Sequence, residues 1–350
     1  MPISWELTPI CASTIPVSSS DANLNNCTNC NAEVPLLNIA ESDVLLLLNL
    51  PDIWNVVTHL KHSEINKLKW DGCISSSICP LPYGLSWYLD VVAPGWEALV
   101  LGDYEAVMAL PCRTKYGVNY IFTPPFVQQL GVFGPDNIDV AAFIQAIPAK
   151  FKYVDFNLNE ANVLEGISNN NTLLNLNAAY ENLYAAFADN TKRNIKKAER
   201  AGYTFKELES PTEVIRLFKA NKGKDVALGD TEYSLLEKLV AKAKHHKACT
   251  VFGVAEASGT IVASAVFIST LGRHVFLFSG NNAEARQAGA MHFLIAAYIK
   301  LHAGTNTLLD FEGSNNANLA RFYLSFGGYV ATYPKLKINR LPFPLNKLKT

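Results

Sequence analysis

The segment from Phe276 to Ile299 reads as a strand, a loop and a helix whose residue types suit an anion. The strand ends at Ser279-Gly280, the loop carries Arg286, and the helix opens at Gly289-Ala290. A helix N-terminus presents unpaired N–H groups and a partial positive charge. Small residues let a phosphate approach the backbone, and an arginine adds a charge-assisted bond. The plain alternative is a glycine turn onto an amphipathic core helix bearing Phe293, Leu294, Ala297 and Leu301. Two carboxylates follow, Asp310 and Glu312. Alternation along a strand puts both on one face, opposite Leu309 and Phe311. A desolvated carboxylate can take the proton of an attacking amine, directly or through water. Glu312 is the better base of the two. The plain alternative is a strand-end pair that closes the next turn, with Ser314 or Asn315 as helix N-cap.

A third group lies upstream, on a helix over 190–201. Lys192, Arg193, Lys196 and Lys197 put at least two cations on one helical face, because residues four apart are neighbours. Such a pair can hold a phosphate. Charge runs are usually solvated faces, and with Glu199 as a partner that is the reading for Lys197 and Arg200. The seven histidines show no metal-ligand spacing. Cys27-Thr28-Asn29-Cys30 is a lone CxxC whose downstream pair, Cys73 and Cys79, is poorly spaced for zinc. Free thiols and no metal site are expected.

The run from Asn316 through Leu319-Ala320-Arg321-Phe322-Tyr323 to Phe326-Gly327-Gly328 resembles the end of GNAT acetyltransferases. In that family an Asn, then a Leu-Tyr pair one helix later, then Gly-Phe opens the final strand. Asn316 falls on the Asn and Tyr323 on the Tyr, while Phe322 and Gly328 depart from the usual Leu and Phe. The resemblance implies that Tyr323 lies near the thioester sulfur and protonates the leaving thiolate, for which a phenol of pKa about 10 is suited. The alternative is a tyrosine on the buried face of an amphipathic helix. The basic run Lys192-Arg193-Asn194-Ile195-Lys196-Lys197-Ala198 with Gly202 resembles a helix of the Fem-like branch, which includes peptidoglycan peptidyltransferases. With Asp310-Phe311-Glu312-Gly313-Ser314 this gives three matches in the correct order over about 172–340.

By that resemblance an acyl-CoA or acetyl-CoA donor lies between Phe278-Ser279 and Tyr323, with its phosphates over Arg286, Gly289 and Ala290 and with Asn316 nearby. Lys192, Arg193 and Lys196 then bind a phosphate of the donor or of a nucleotide-linked acceptor. In the GNAT phosphate loop Arg286 and Gly289 fit, but Met291 replaces the final small residue. That departure points to the Fem-type alternative, in which the acyl group comes from charged tRNA. The acceptor is an amine on a small molecule or a cell-envelope precursor. A third reading keeps the fold as a non-catalytic binding module.

The elements that must position these residues follow from patterning. The 350 residues exceed the roughly 250–300 at which single cores stop growing, so two domains are expected. Apolar residues at 49% supply their cores. Net charge of -1 gives no global pull toward nucleic acid or anionic membrane, which leaves a tRNA donor unfavoured. No apolar run approaches the roughly 20 residues of a membrane span, and no signal peptide is expected, so the expected location is cytoplasmic.

Residues 1–43 read as an irregular leader rich in Ser, Asn and Thr. Helical spacing covers Leu60–Trp70, strand patterns Leu85–Val92, Ala98–Leu101, Tyr104–Thr114 and Tyr116–Thr123, then a helix Ile138–Ile147 and a strand Tyr153–Asn157. The polar stretch Glu165–Asn171 separates a domain at 44–165 from one at 172–340, with a tail at 341–350. The second opens with the strand Thr172–Leu176 and runs through helices at about 179–187, 190–201, 211–221 and 231–246, then strands Thr250–Ala257, Ile261–Thr270 and Arg273–Ser279. A helix at 288–303, a strand at 307–311, a helix at 316–326 and the strand Tyr329–Asn339 complete it. The fold class is α/β (α+β), as two GNAT-like domains with mixed, mostly antiparallel sheets flanked by helices. The first domain is expected to be degenerate.

Overall fold

The computed structural model describes residues 56–221, 228–313 and 315–349. The expected leader, Cys27 and Cys30 lie outside them, as does Ser314. The described residues belong to one compact unit.

The chain opens with β1 (Val57–Leu60), α1 (Lys67–Ser76) and α2 (Ser86–Val92), followed by β2 (Glu97–Leu101), β3 (Ala106–Leu110), β4 (Cys112–Lys115), β5 (Val118–Phe122) and β6 (Val132–Phe133). Then come α3 (Val140–Gln145), β7 (Phe151–Asn157), β8 (Ser168–Asn175), α4 (Tyr180–Ala185), α5 (Asp189–Arg200), β9 (Thr204–Leu208), α6 (Thr212–Asn221) and α7 (Asp230–His245). The rest is β10 (Cys249–Ala255), β11 (Ile261–Thr270), β12 (Arg273–Asn281), α8 (Ala283–Gln287), α9 (Ala290–His302), β13 (Leu308–Asp310), α10 (Ala317–Leu324) and β14 (Tyr329–Asn339).

Two sheets carry these elements. One has the order β1-β2-β3-β6 and is antiparallel. The other has the order β4-β5-β7-β14-β8-β13-β12-β11-β10-β9 and is antiparallel except at β5/β7 and β12/β13. The α/β class with mostly antiparallel sheets is therefore present. Strand β14 joins the two halves: Tyr329–Pro334 pair with β8, and Lys335–Asn339 pair with β7. Its alternation explains how it can. Leu336 and Ile338 point to the core that β7 and the N-terminal helices share.

Patterning differs from the structure at Leu85–Val92, at Leu60–Trp70 and at Tyr104–Thr114, the last being two strands, β3 and β4, of different sheets. Leu85–Val92 was expected as a strand and is mostly the helix α2. A short apolar run looks the same in a buried strand and a helix buried all round, and Ser86, Trp87, Tyr88, Leu89 and Val92 are all buried. The Asp71 carboxylate fixes the start of α2, accepting from the Ser86 N–H at 2.6 Å and its hydroxyl at 2.7 Å. The helix expected over Leu60–Trp70 begins only at Lys67, where Asn66 caps it by accepting from the Lys69 N–H. Between the halves, Ser168–Asn171 belong to β8 instead of a polar connection. Tyr329–Pro334 supply the partners that satisfy this polar strand.

Candidate functional site

Strands β12 and β13 create the site by parting company. They pair in parallel over only three positions, Arg273 with Leu308, His274 with Leu309 and Val275 with Asp310. Beyond Val275, β12 continues to Asn281 paired only with β11. One edge of Phe276–Asn281 is left facing a wedge. A register shift between Val266/Phe267 leaves Leu277 as the extra residue of a bulge on β12. Such a bulge turns a strand and re-aims its side chains.

A cavity of about 660 Å³ fills the wedge. Phe278, Ser279, Arg286, Glu312, Asn316 and Tyr323 all line it, so the fold brings together most of the donor and catalytic residues expected from sequence. Phe218 and Asn221 of α6, and Met291 and His292 of α9, complete the wall.

Tyr323 is buried on α10 and stacks on Phe311 with ring centroids 5.0 Å apart. Among the described residues its hydroxyl has no hydrogen-bond partner, so it is available to whatever enters the cavity. Burial, and then the charge of Glu312, push its pKa well above the ordinary tyrosine value. Arg286 is exposed at the rim and has no ion-pair partner among the described residues.

Glu312 and Asp310 do not share one strand face. Strand β13 stops at Asp310, and Glu312 turns the chain with φ at 53°, a left-handed conformation that is strained in a non-glycine residue. The Glu312 N–H donates to Asp310 at 2.8 Å. The Glu312 carboxylate faces the cavity and accepts from the Tyr83 hydroxyl at 2.5 Å. Burial, opposed by that hydrogen bond and reinforced by Asp310, pushes its pKa up to about 8. Asp310 itself is fully buried and pairs with Arg273 at 2.7 Å, and Arg273 also holds Glu160. Asp310 does not line the cavity. Its geometry is that of a support that fixes the Glu312 turn.

Three other expectations meet a different arrangement. Gly289, with φ at 85°, is needed for close packing: a Cβ there would sit 2.3 Å from the Asn194 carbonyl oxygen. The neighbour that approaches this backbone is helix α5. Gly289 and Ala290 are buried and do not line the cavity. The side-chain oxygen of Asn316 accepts from the Asn318 and Leu319 N–H groups, so it caps α10 while lining the cavity. Finally, Lys192, Arg193 and Lys196 do not reach the cavity. Lys192 donates to the Ala185 carbonyl at 2.8 Å, and Arg193 and Lys196 are exposed. Lys197, read as a solvated charge, instead donates to the Gln287 carbonyl at 2.8 Å and ties α5 to the α8–α9 junction.

Sequence reasoning missed two residues of the site. Tyr83 comes from the N-terminal half, 229 positions away from Glu312, and no local pattern marks it. His292 is on the first turn of α9, where burial pushes its pKa down to about 4, so it is a neutral imidazole at pH 7. Its place three residues after Gly289, at the mouth of the suspected anion loop, was a usable signal.

No family model matches this sequence, and no curated protein matches it. Solved structures do. The crystal structure of FemX superimposes with a TM-score of 0.60 at 12% identity, covering 83% of this chain and 99% of that one. L-PGS from Bacillus licheniformis (TM-score 0.45, 13% identity, 81% of this chain and 94% of that one) is also similar. So is N-myristoyltransferase from Saccharomyces cerevisiae, solved with bound myristoylCoA (TM-score 0.44, 13% identity, 79% and 82%). The likeness to the last two is too low to carry an argument. The fold is that of FemX.

Proposed function

We propose that this protein is an acyltransferase that moves an acyl group from an acyl-CoA or acetyl-CoA thioester to an amine. One observation carries the reading: a single cavity faces a half-buried carboxylate, a partner-free phenol and an exposed arginine toward the open edge of β12. The two-domain division near 165–172 belongs to the same reading.

The donor lies along Phe278 and Ser279, with its phosphates toward Arg286 at the rim. Glu312 takes the amine proton. A pKa near 8 makes the ionised Glu312 carboxylate a stronger base than an ordinary glutamate, and the ionised share grows as pH rises toward 8. The amine nitrogen bonds to the thioester carbonyl carbon, the C–S bond breaks, and the sulfur leaves as a thiolate. Tyr323 holds its own proton tightly, and a free thiol has a pKa of about 8.5. The phenol therefore serves as a hydrogen-bond donor to the developing thiolate, and the proton that completes the thiol comes from Glu312 or water. Most of the rate comes from holding amine and thioester together.

A second reading, transfer from charged tRNA to a cell-envelope precursor, is favoured by α5. This helix occupies the approach to Gly289 and leaves Arg193 and Lys196 exposed. Calorimetric titration of the full chain with acetyl-CoA and longer acyl-CoAs separates the two readings. Saturable binding supports the first, and its absence at millimolar donor favours the tRNA-dependent reading or a binding module. With a turned-over donor, Tyr323→Phe is expected to lower turnover roughly ten- to a thousandfold at unchanged donor affinity. Unchanged turnover would return Tyr323 to the core.

A further inference from the structure

Resting on that reading, we propose that the acceptor enters through a second cavity and lies along the outer face of β5, β7 and β14. We infer its class as an amine bearing an anionic group about 13 Å from the nitrogen, the length of four strand residues.

Glu312 is the residue through which this cavity meets the first. It lines both the donor cavity and a smaller one of about 290 Å³, bounded by Phe126, Val127, Gln128, Asn157 and Tyr333. A base that touches two cavities can face a thioester from one and receive a nucleophile from the other. Asn157 in turn lines a groove of about 580 Å³ shared with Tyr120, Phe122, Lys335 and Lys337. The three spaces thus follow one another through Glu312 and Asn157.

Strand alternation explains the composition of this track. Ile121, Val154, Phe156 and Leu336 turn into the core. Their neighbours Phe122, Asp155, Asn157, Lys335 and Lys337 line the groove on the other side. Register sets Lys335 against Asn157 and Lys337 against Asp155, so the strands run the groove away from Tyr333.

The chemistry changes along it. Beside Glu312 the second cavity offers two carboxamides and a phenol, and no cation lines it. That end suits a neutral, hydrogen-bonding body leading to an amine. The far end is positive. Lys335 is tied to Asp155 at 2.7 Å, whereas Lys337 is exposed and has no ion-pair partner among the described residues. The Arg113 guanidinium lies 4.5 Å over the Phe122 ring and adds a second cation on that side. From Tyr333, which lines the cavity with Glu312, to Lys337 the strand advances about 13 Å. A carboxylate or phosphate at that distance meets the free lysine, while a short amine spans only the cavity.

Tetraglycine is a direct probe, because its extended backbone spans about 13 Å between amine and carboxylate. The full chain is titrated calorimetrically, without any donor, with tetraglycine, its C-terminal amide and glycine. Tetraglycine is expected to bind at least about threefold more tightly than its amide, the scale of one solvent-exposed ion pair, with glycine weaker than both. Lys337→Ala should abolish the difference and Lys337→Glu should reverse it. Equal binding of acid and amide, a preference that survives Lys337→Ala, or no measurable tetraglycine binding overturns the proposal. Because no donor is present, a failed acyl-CoA titration and a failed acceptor titration remain separate results.

Discussion

Among the described residues there are two parallel strand pairs, each reached after an antiparallel hairpin, and the cavity of about 660 Å³ lies at only one of them. In the first half β5 pairs with β7 from Asn119 to Phe122, and β5 ends where that pairing ends. In the second half β12 pairs with β13 for three positions and then runs on from Phe276 to Asn281. The overhang, with its bulge at Leu277, is what exposes backbone to a wedge. The crossovers differ as well: α9 spans Ala290–His302, whereas α3 covers only Val140–Gln145. After β5 the chain turns at Phe126, with φ at 62°, and the Phe126 ring packs edge-on against Phe278 of the other half. The first half therefore buttresses the second's cavity, and through Tyr83 it supplies a contact to Glu312. Similar element order does not give similar chemistry; the site comes from where pairing stops.

The largest effect that can break this comparison is at Glu312. Glu312→Gln keeps the shape and removes the base, so turnover should fall roughly a hundred- to ten-thousandfold with acyl-CoA affinity kept. Turnover within about threefold of wild type would mean the wedge is not the chemical centre. The same variant has a stability signature. The folded value near 8 lies above the ordinary 4.5, so the folded chain binds the extra proton between those values. The contribution of Glu312 to stability is then complete below about 4.5 and is lost as pH rises through about 8. Glu312→Gln should flatten that decline in urea denaturation across the window.

A smaller effect tests what the glycine at the α8–α9 junction is for. Gly289→Ala places a Cβ 2.3 Å from the Asn194 carbonyl oxygen at a φ of 85°. It should cost about 1–3 kcal/mol of folding stability, with the affinity for acyl-CoA unchanged in the folded fraction. Intact stability with weakened donor binding would reassign Gly289 to the phosphates and sharpen the likeness to ordinary acetyltransferases.

The smallest effect measures how far the first half serves the second. The Tyr83 hydroxyl donates to Glu312 and favours its charged form, so the activity of the wild type should rise with pH on a limb near 8. Tyr83→Phe should move that limb upward by about one unit, the equivalent of roughly 1.4 kcal/mol, with little change well above it. A purely structural role predicts a uniform loss at all pH values and no movement of the limb.

Much of this was written in local sequence. The strands Ile261–Thr270 and Tyr329–Asn339 were legible to the residue, because long alternating runs with turn residues at their ends leave little choice. The ordered matches at the basic helix, at Asp310–Ser314 and at Asn316–Gly328 pointed to the fold, and Tyr323, Glu312, Phe278, Ser279 and Arg286 do line one cavity. Local pattern could not separate the two carboxylates, since period-two alternation holds only while a strand lasts. Here it ends at Asp310, and the left-handed turn at Glu312 sends one side chain to Arg273 and the other to the cavity. Nor could it reveal that Gly289 answers to Asn194, that Lys197 holds Gln287, or that Tyr83 reaches Glu312. Those are contacts between segments far apart in the chain. Sequence alone determined the long periodic elements and the residue types that chemistry needs; the tertiary structure decided the ambiguous apolar runs and which side chains face the cavity, because burial and partners are set by what packs against each side chain.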